Sequence, residues 1–190
     1  MATAFNISSG FSGYMPFGYV AFYGVGAFTT AILVKKLGFA VLAALPLAGL
    51  AGVLLSLLTA PTLRLSGIYF AIVSLSLAGI CRLTIANLPE EITGGSFGIQ
   101  LGSRAAPVQA FYVMMGVMLL SLGSVLWLSR SRLGKALRAV RDDAEAADMM
   151  GVNVGWVRLQ GWMMAAFFPA LCGGLEAWYT NVVDTETAFN

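Results

Sequence analysis

Long apolar windows, separated by short charged or glycine-rich breaks, set the plan of this chain. Residues 1 to 34, 37 to 63, 65 to 81 and 105 to 129 contain no Asp, Glu, Lys or Arg. Each window approaches or exceeds the roughly 20 apolar residues that a helix needs to cross a bilayer core. The pattern predicts five spans, near 14–34, 39–60, 67–88, 108–128 and 157–180. The first is rich in glycine and aromatics with Pro16 at its start, so a broken or re-entrant segment is expected there. The second carries Pro46, which would cost about 3 kcal/mol in a water-exposed helix interior but is tolerated in a bundle whose neighbours satisfy the freed carbonyl. The third carries Arg82 near its end, where a guanidinium can snorkel to the headgroups. The fourth is uninterrupted, and the fifth contains Pro169, Gly173, Gly174 and, near its far end, Glu176. Between the third and fourth spans the stretch PEEITGGSFGIQLGSRAA has no helical periodicity.

A charged island breaks this apolar plan between the fourth and fifth spans. Leu133, Leu137, Val140, Ala144, Ala147 and Gly151 recur there at spacings of three and four, which predicts one amphipathic helix. Arg138, Arg141, Asp142, Glu145 and Asp148 fall on the other faces. Arg138 with Asp142 and Arg141 with Glu145 are spaced as i to i+4 pairs of opposite sign, each contributing only about 0.2 to 0.5 kcal/mol when exposed. The stripe narrows to Ala and Gly at its C-terminal half, which would let another surface approach the backbone. Gly151 is placed to end the helix as a left-handed residue. Two readings stay open on pattern alone: a loop helix whose basic residues enforce topology, or a docking element that carries force from a soluble partner into the spans.

Composition turns the apolar pattern into a class. Of 190 residues, 58% are hydrophobic and only 11% charged, against about a quarter charged in a soluble domain; the chain reads as a membrane protein. If the island is cytoplasmic, Arg64, Arg130, Arg132, Lys135, Arg138, Arg141 and Arg158 lie inside and Lys35, Lys36 and Arg104 outside, and seven against three favours that orientation. A net charge of +2 gives no ground for nucleic-acid binding. Cys81 and Cys172 both sit in apolar segments, so no disulfide framework is expected, and the lack of any histidine removes the usual zinc sites. No basic region precedes the first apolar stretch, so a cleaved signal peptide is not expected.

No phosphate-binding G-x-x-x-x-G-K-[ST] loop occurs, nor any nucleophile beside a plausible base, so the chain is not expected to be an enzyme. A secondary transporter would place acidic relay residues within its spans, and only Glu176 comes near that. Close helix packing is the expected role of Gly18, Gly24 and Gly26, and packing or interface positions that of Trp162, Met163 and Met164.

Several runs resemble one family. Glu145-Ala146-Ala147 followed by Gly151 reproduces the EAA-x-x-x-G signature of ABC importer permeases. Phe17 to Phe28 (FGYVAFYGVGAF), Arg64 to Val73 (RLSGIYFAIV), Thr93 to Ile99 (TGGSFGI), Ser131 to Arg141 (SRLGKALRAVR) and Gly151-Val152-Asn153 resemble, in order, segments of the LivM-like branched-chain amino acid permeases. The resemblance implies an all-α polytopic helical bundle of about five spans plus a short cytoplasmic coupling helix. Residues 1–190 would form one partial permease domain, with 130–156 as its coupling loop, in the bacterial cytoplasmic (inner) membrane.

It further implies that Arg138, Arg141, Glu145, Ala146, Ala147 and Gly151 meet an ABC ATPase subunit. ATP and Mg would be bound by that partner, with no cofactor in this chain. A second permease subunit and a periplasmic or extracellular binding protein complete the expected assembly. Thr93, Gly94, Gly95 and Ser96 are candidates for the substrate path or outer loop, with a plain Gly-rich turn an equal alternative. Branched-chain amino acids are the expected cargo, though urea and short-chain amide permeases share these motifs. Two departures stand out. Family members are substantially longer, so a fragment or split gene product is expected, with a non-transporting assembly partner as another reading. Glu176 also stands where the family usually has a small or apolar residue.

Overall fold

The apolar windows fold into long helices. The computed structural model describes residues 1–13, 17–65, 67–89, 98–102, 107–184 and 188–189. The elements run α1 (Ala2–Phe5) into a π-helical turn (Asn6–Phe11), α2 (Tyr19–Leu37), α3 (Val41–Leu58), a 3-10 turn (Ala60–Arg64) and α4 (Ile68–Ala86). They continue with β1 (Ile99–Gln100), α5 (Pro107–Arg130), α6 (Arg132–Asp142), α7 (Ala144–Met149), α8 (Val154–Thr180) and β2 (Val182–Val183).

Helices α2, α3, α4 and α5 are each long and apolar enough to cross a membrane. Their outer surfaces confirm the solvent they are built for. Only 17% of the apolar window of α4 and 11% of that of α5 is buried, and Leu58, Ile68, Leu120 and Leu126 are largely exposed. Leaving such a side chain in water forgoes about 1.5 to 3 kcal/mol of burial, and a continuous belt of them is stable only against hydrocarbon. The chain is an integral membrane protein.

The fifth expected span, α8, differs from these four. It is 27 residues long, but Gln160, Pro169, Gly173, Gly174 and Glu176 dilute its apolar character, and it is not among the helices that qualify by length and composition. It occupies the middle of the bundle, packed against α2 and α3. Small residues bring the backbones together: a Cβ on Gly26 would lie 2.0 Å from the Ala170 carbonyl oxygen, and one on Gly173 would lie 2.0 Å from that of Tyr23. Gly18 and Gly24 are equally crowded, by Ser74 and Phe189, so the expectation of close packing at these glycines holds. The Trp162 ring centres an aromatic cluster, with centroids 5.2 Å from Phe22, 5.5 Å from Phe70 and 6.2 Å from Tyr19. Its indole N–H donates to Thr59 Oγ1 at 3.2 Å, which satisfies the polar end of a buried ring.

These contacts fix the senses of α2, α3 and α8. Tyr19 meets Trp162 and Gly26 meets Ala170, so α2 and α8 run the same way; Gly49 meets Phe167 while Thr59 meets Trp162, so α3 runs against them. Arg64 therefore lies at the end of the bundle that carries the charged island, and Lys35 and Lys36 at the opposite end. This is the division expected from the basic residues; Arg104 lies outside the described residues.

Three features differ from the sequence expectations. The first span is one uninterrupted helix from Tyr19 to Leu37, since its glycines pack against neighbours instead of breaking it; the expected start near residue 14 lies outside the described residues. Ahead of it, α1 and the π-helical turn bury Ala4, Ile7 and Ser8 in the bundle, and Tyr19 donates its hydroxyl to the Ala4 carbonyl at 2.9 Å. At the end opposite the island, β1 and β2 pair antiparallel, Ile99 opposite Val183 and Gln100 opposite Val182.

Candidate functional site

The charged island forms two short helices where one was expected. Ser131 begins α6, its hydroxyl accepting from the Gly134 amide at 3.0 Å. Asp143, in an extended conformation, ends α6 and starts α7, its Oδ1 accepting from the amides of Glu145 and Ala146 at 2.9 and 3.0 Å. Asn153 begins α8 in the same way, accepting from the Trp156 amide at 3.0 Å. Each such cap contributes about 1 kcal/mol, and three in one loop fix its shape. All three are residue types with a strong preference for that position, so the break at Asp143 was present in the sequence as a capping signal.

Gly151 occupies the C′ position foreseen for it. Its φ is +83°, its amide donates to the Asp148 carbonyl at 2.9 Å, and the Val152 amide donates to that of Ala147 at 3.0 Å. That pair of bonds is a Schellman motif, which needs a left-handed residue at C′.

The stripe is turned toward the chain's own bundle. Leu137, Val140 and Ala147 are buried, and a Cβ on Gly161 of α8 would lie 2.9 Å from Leu137 Cδ2. The α6 backbone also closes on the end of α5, where a Cβ on Gly134 would lie 1.8 Å from the Leu128 carbonyl oxygen. The surface free to meet another molecule is the opposite face of α7, with Glu145, Ala146 and Asp148 exposed and Met149 and Met150 at 88% and 85% exposure. These two methionines were not foreseen, because they lie off the apolar stripe. An open hollow of about 500 Å³ lies beside this face, lined by Glu145, Asp148, Gly151 and Asn153 among others.

The six residues expected at a coupling interface thus divide. Glu145, Ala146 and Gly151 are exposed at the tip of the loop, while Ala147 is buried beneath it. Arg138 and Arg141 reach back into the chain itself. Arg138 donates to the carbonyls of Gly134 (Nε, 3.2 Å) and Ser129 (Nη2, 2.7 Å), and its guanidinium carbon stands 5.7 Å from the centre of the Phe11 ring. Arg141 donates from Nη1 to the Gly10 carbonyl at 2.5 Å. The helical pairing expected for Arg141 with Glu145 is interrupted by Asp143, which places the two on different helices. Thr93, Gly94, Gly95 and Ser96 lie outside the described residues.

The tip of the loop is a capped, short helix that exposes carboxylates and two thioether side chains, and the loop joins the ends of α5 and α8. A family model described as "Branched-chain amino acid transport system / permease component" matches residues 1–190. The high-affinity branched-chain amino acid transport system permease proteins LivM of Salmonella typhimurium (strain LT2) and of Escherichia coli (strain K12) are each 30% identical to the chain over 217 aligned residues. The alignments cover 96% of this chain and 50% of each relative, so the chain spans about half the length of the curated relatives it matches. No solved structure matches it. With the family match running its whole length, the chain belongs to the branched-chain amino acid transport system permease components.

Proposed function

We propose that this chain is a membrane-spanning permease subunit of an ATP-driven importer that moves branched-chain amino acids or similar small polar solutes across the bacterial cytoplasmic (inner) membrane. The observation that carries this reading is the tip of the island, where Glu145, Ala146 and Gly151 of the EAA-x-x-x-G signature stand exposed beside Met149 and Met150. An ABC ATPase subunit docks there, binding the ATP and Mg itself. Methionine suits such a contact, being apolar and able to repack as its partner moves. Movement of the ATPase pair is transmitted through α6 and α7 to the ends of α5 and α8, to which the loop is joined without slack. A second permease subunit completes the path, and a periplasmic or extracellular binding protein delivers solute to the opposite end.

The test is crosslinking. A cysteine at Met149, in a background lacking Cys81 and Cys172, should crosslink to a co-expressed ATPase subunit, and a cysteine at Leu120 on the lipid-facing surface should not. Uptake should stop on ATP depletion with the membrane potential held constant; uptake that continues would assign the protein to ion-driven transport.

A further inference from the structure

Basic side chains crowd the join of α5 and α6, and only some of them are engaged. Arg138 and Arg141 donate to backbone carbonyls. Arg130, Arg132 and Lys135 are exposed, and among the described residues no hydrogen bond or ion pair holds their side chains. No Asp or Glu occurs between Glu91 and Asp142, so these charges have no carboxylate near them along the chain. They also lie close together. Arg132 follows Arg130 by two residues, at most about 7 Å along the chain, and Lys135 stands one turn beyond Arg132 on α6, where Cβ atoms are about 5 to 6 Å apart. Gly134, Leu137 and Val140 form the buried side of α6, which leaves Arg132 and Lys135 on the side turned away from the bundle.

The surface leading up to these charges faces lipid. Leu119, Gly123, Leu126 and Arg130 recur at helical spacings that set them along one face of α5, and all of them are exposed. Nothing stands within 4 Å of a Cβ built on Gly123, so that face is notched between its two leucines. Trp127 beside it and Trp156 at the start of α8 are exposed as well, and such rings settle at the headgroup level. Membrane topology asks only for positive charge at this end; it does not ask that unneutralised cations cap one lipid-facing strip. That arrangement matches a lipid with an anionic head. A zwitterionic head brings its own ammonium group to the same cations and gains less from them.

We propose that Arg130, Arg132 and Lys135 form a headgroup site for an anionic phospholipid whose acyl chain lies along Leu119, Gly123 and Leu126. A lipid held there sits where α5 passes into the island, and its binding does not depend on the importer reading.

Photolabelling tests the site. The full chain is placed in phosphatidylcholine nanodiscs doped with either phosphatidylglycerol or phosphatidylcholine carrying the same photoactivatable acyl chain, and the label is located by peptide mass spectrometry. Phosphatidylglycerol should label residues 119–130 about tenfold more than phosphatidylcholine does, since each cation near a headgroup surface contributes about fivefold and exposure screens part of the sum. The exposed face of α3 at Leu50 and Leu54 should take both lipids equally. Arg130→Gln, Arg132→Gln and Lys135→Gln together should abolish the excess and leave the labelling of α3 as it was, which reports that the variant is folded and inserted. Equal labelling in the unaltered protein would overturn the proposal and leave the three cations to an acidic protein surface. It would equally be overturned by an excess that survives the triple variant or appears on α3 to the same degree. An excess lost on adding inorganic phosphate at constant ionic strength would also overturn it, because a free anion would then be the ligand.

Discussion

Arg141 donates to the carbonyl of Gly10, 131 residues earlier in the chain, and so ties the amphipathic helix of the island to the N-terminal π-helical turn. With Arg138 over the Phe11 ring, it makes that turn a further attachment of the island to the bundle, besides its covalent joins to α5 and α8 and the packing of Leu137 against Gly161.

Removing the tie should loosen the turn. A hydrogen bond from a charged donor contributes about 1.5 to 3 kcal/mol, and the exposure of Arg141 places this one at the lower end. Arg141→Ala should raise amide hydrogen exchange across Asn6–Phe11 about tenfold, with the middle of α2 unaffected. Arg141→Lys should restore part of the protection, since the ammonium reaches the carbonyl as a point donor without the guanidinium's planar fork.

At Gly151 the constraint is conformational. Nothing stands within 4 Å of a Cβ built there, so the cost of a side chain comes from φ alone. Gly151→Ala should destabilise the α7 turn by about 1 to 2 kcal/mol, and Gly151→Asn by distinctly less, because Asn tolerates the left-handed region. Hydrogen exchange at Val152, whose amide closes the turn, reads the difference. If the large loss appeared equally with Asn, a partner pressed against the backbone would be the cause.

The crossing of α2 and α8 offers the opposite case. A side chain at Gly173 meets the Tyr23 carbonyl, which is backbone and cannot turn aside. Gly173→Leu should cost 3 kcal/mol or about that, the upper range for overpacking, and prevent α2 and α8 from associating. Loss of the folded form in mild detergent, with the protein still inserted in the membrane, is the expected observation.

Trp162 joins four elements through its ring and its N–H. Trp162→Phe keeps most of the aromatic contacts but loses the bond to Thr59 and should cost about 1 kcal/mol. Trp162→Ala should cost about 3 to 5 kcal/mol, the usual range for emptying a large aromatic site. Denaturant unfolding in detergent separates the two.

Most of the architecture was legible because hydrocarbon imposes a simple rule: α3, α4 and α5 lie within a few residues of their apolar windows. The island's helical period was equally plain, yet its direction was not. Periodicity says that Leu137, Val140 and Ala147 share a face; it cannot say whether the chain's own α8 or another protein covers it. The same blindness hid Met149 and Met150, whose importance depends on what is left uncovered. The N-terminal turn was missed because ten uncharged residues are too short to span, and Asn6, Ser8, Ser9 and Gly10 read as a loop and not as a helix. The pairing of Ile99 with Val183 joins positions too distant for any local signal.

The central place of α8 bears on how the protein is made. Helices α2 to α5 are each long and apolar enough to enter lipid by length and composition, but α8, with Pro169, paired glycines and Glu176, falls outside that set and presents its small residues to α2 and α3. Its contacts are with α2 and α3, both synthesised long before it. Docking of α8 is therefore an assembly step, completed against helices already in the bilayer, and a defect in α2 should appear first as failure of α8 to pack.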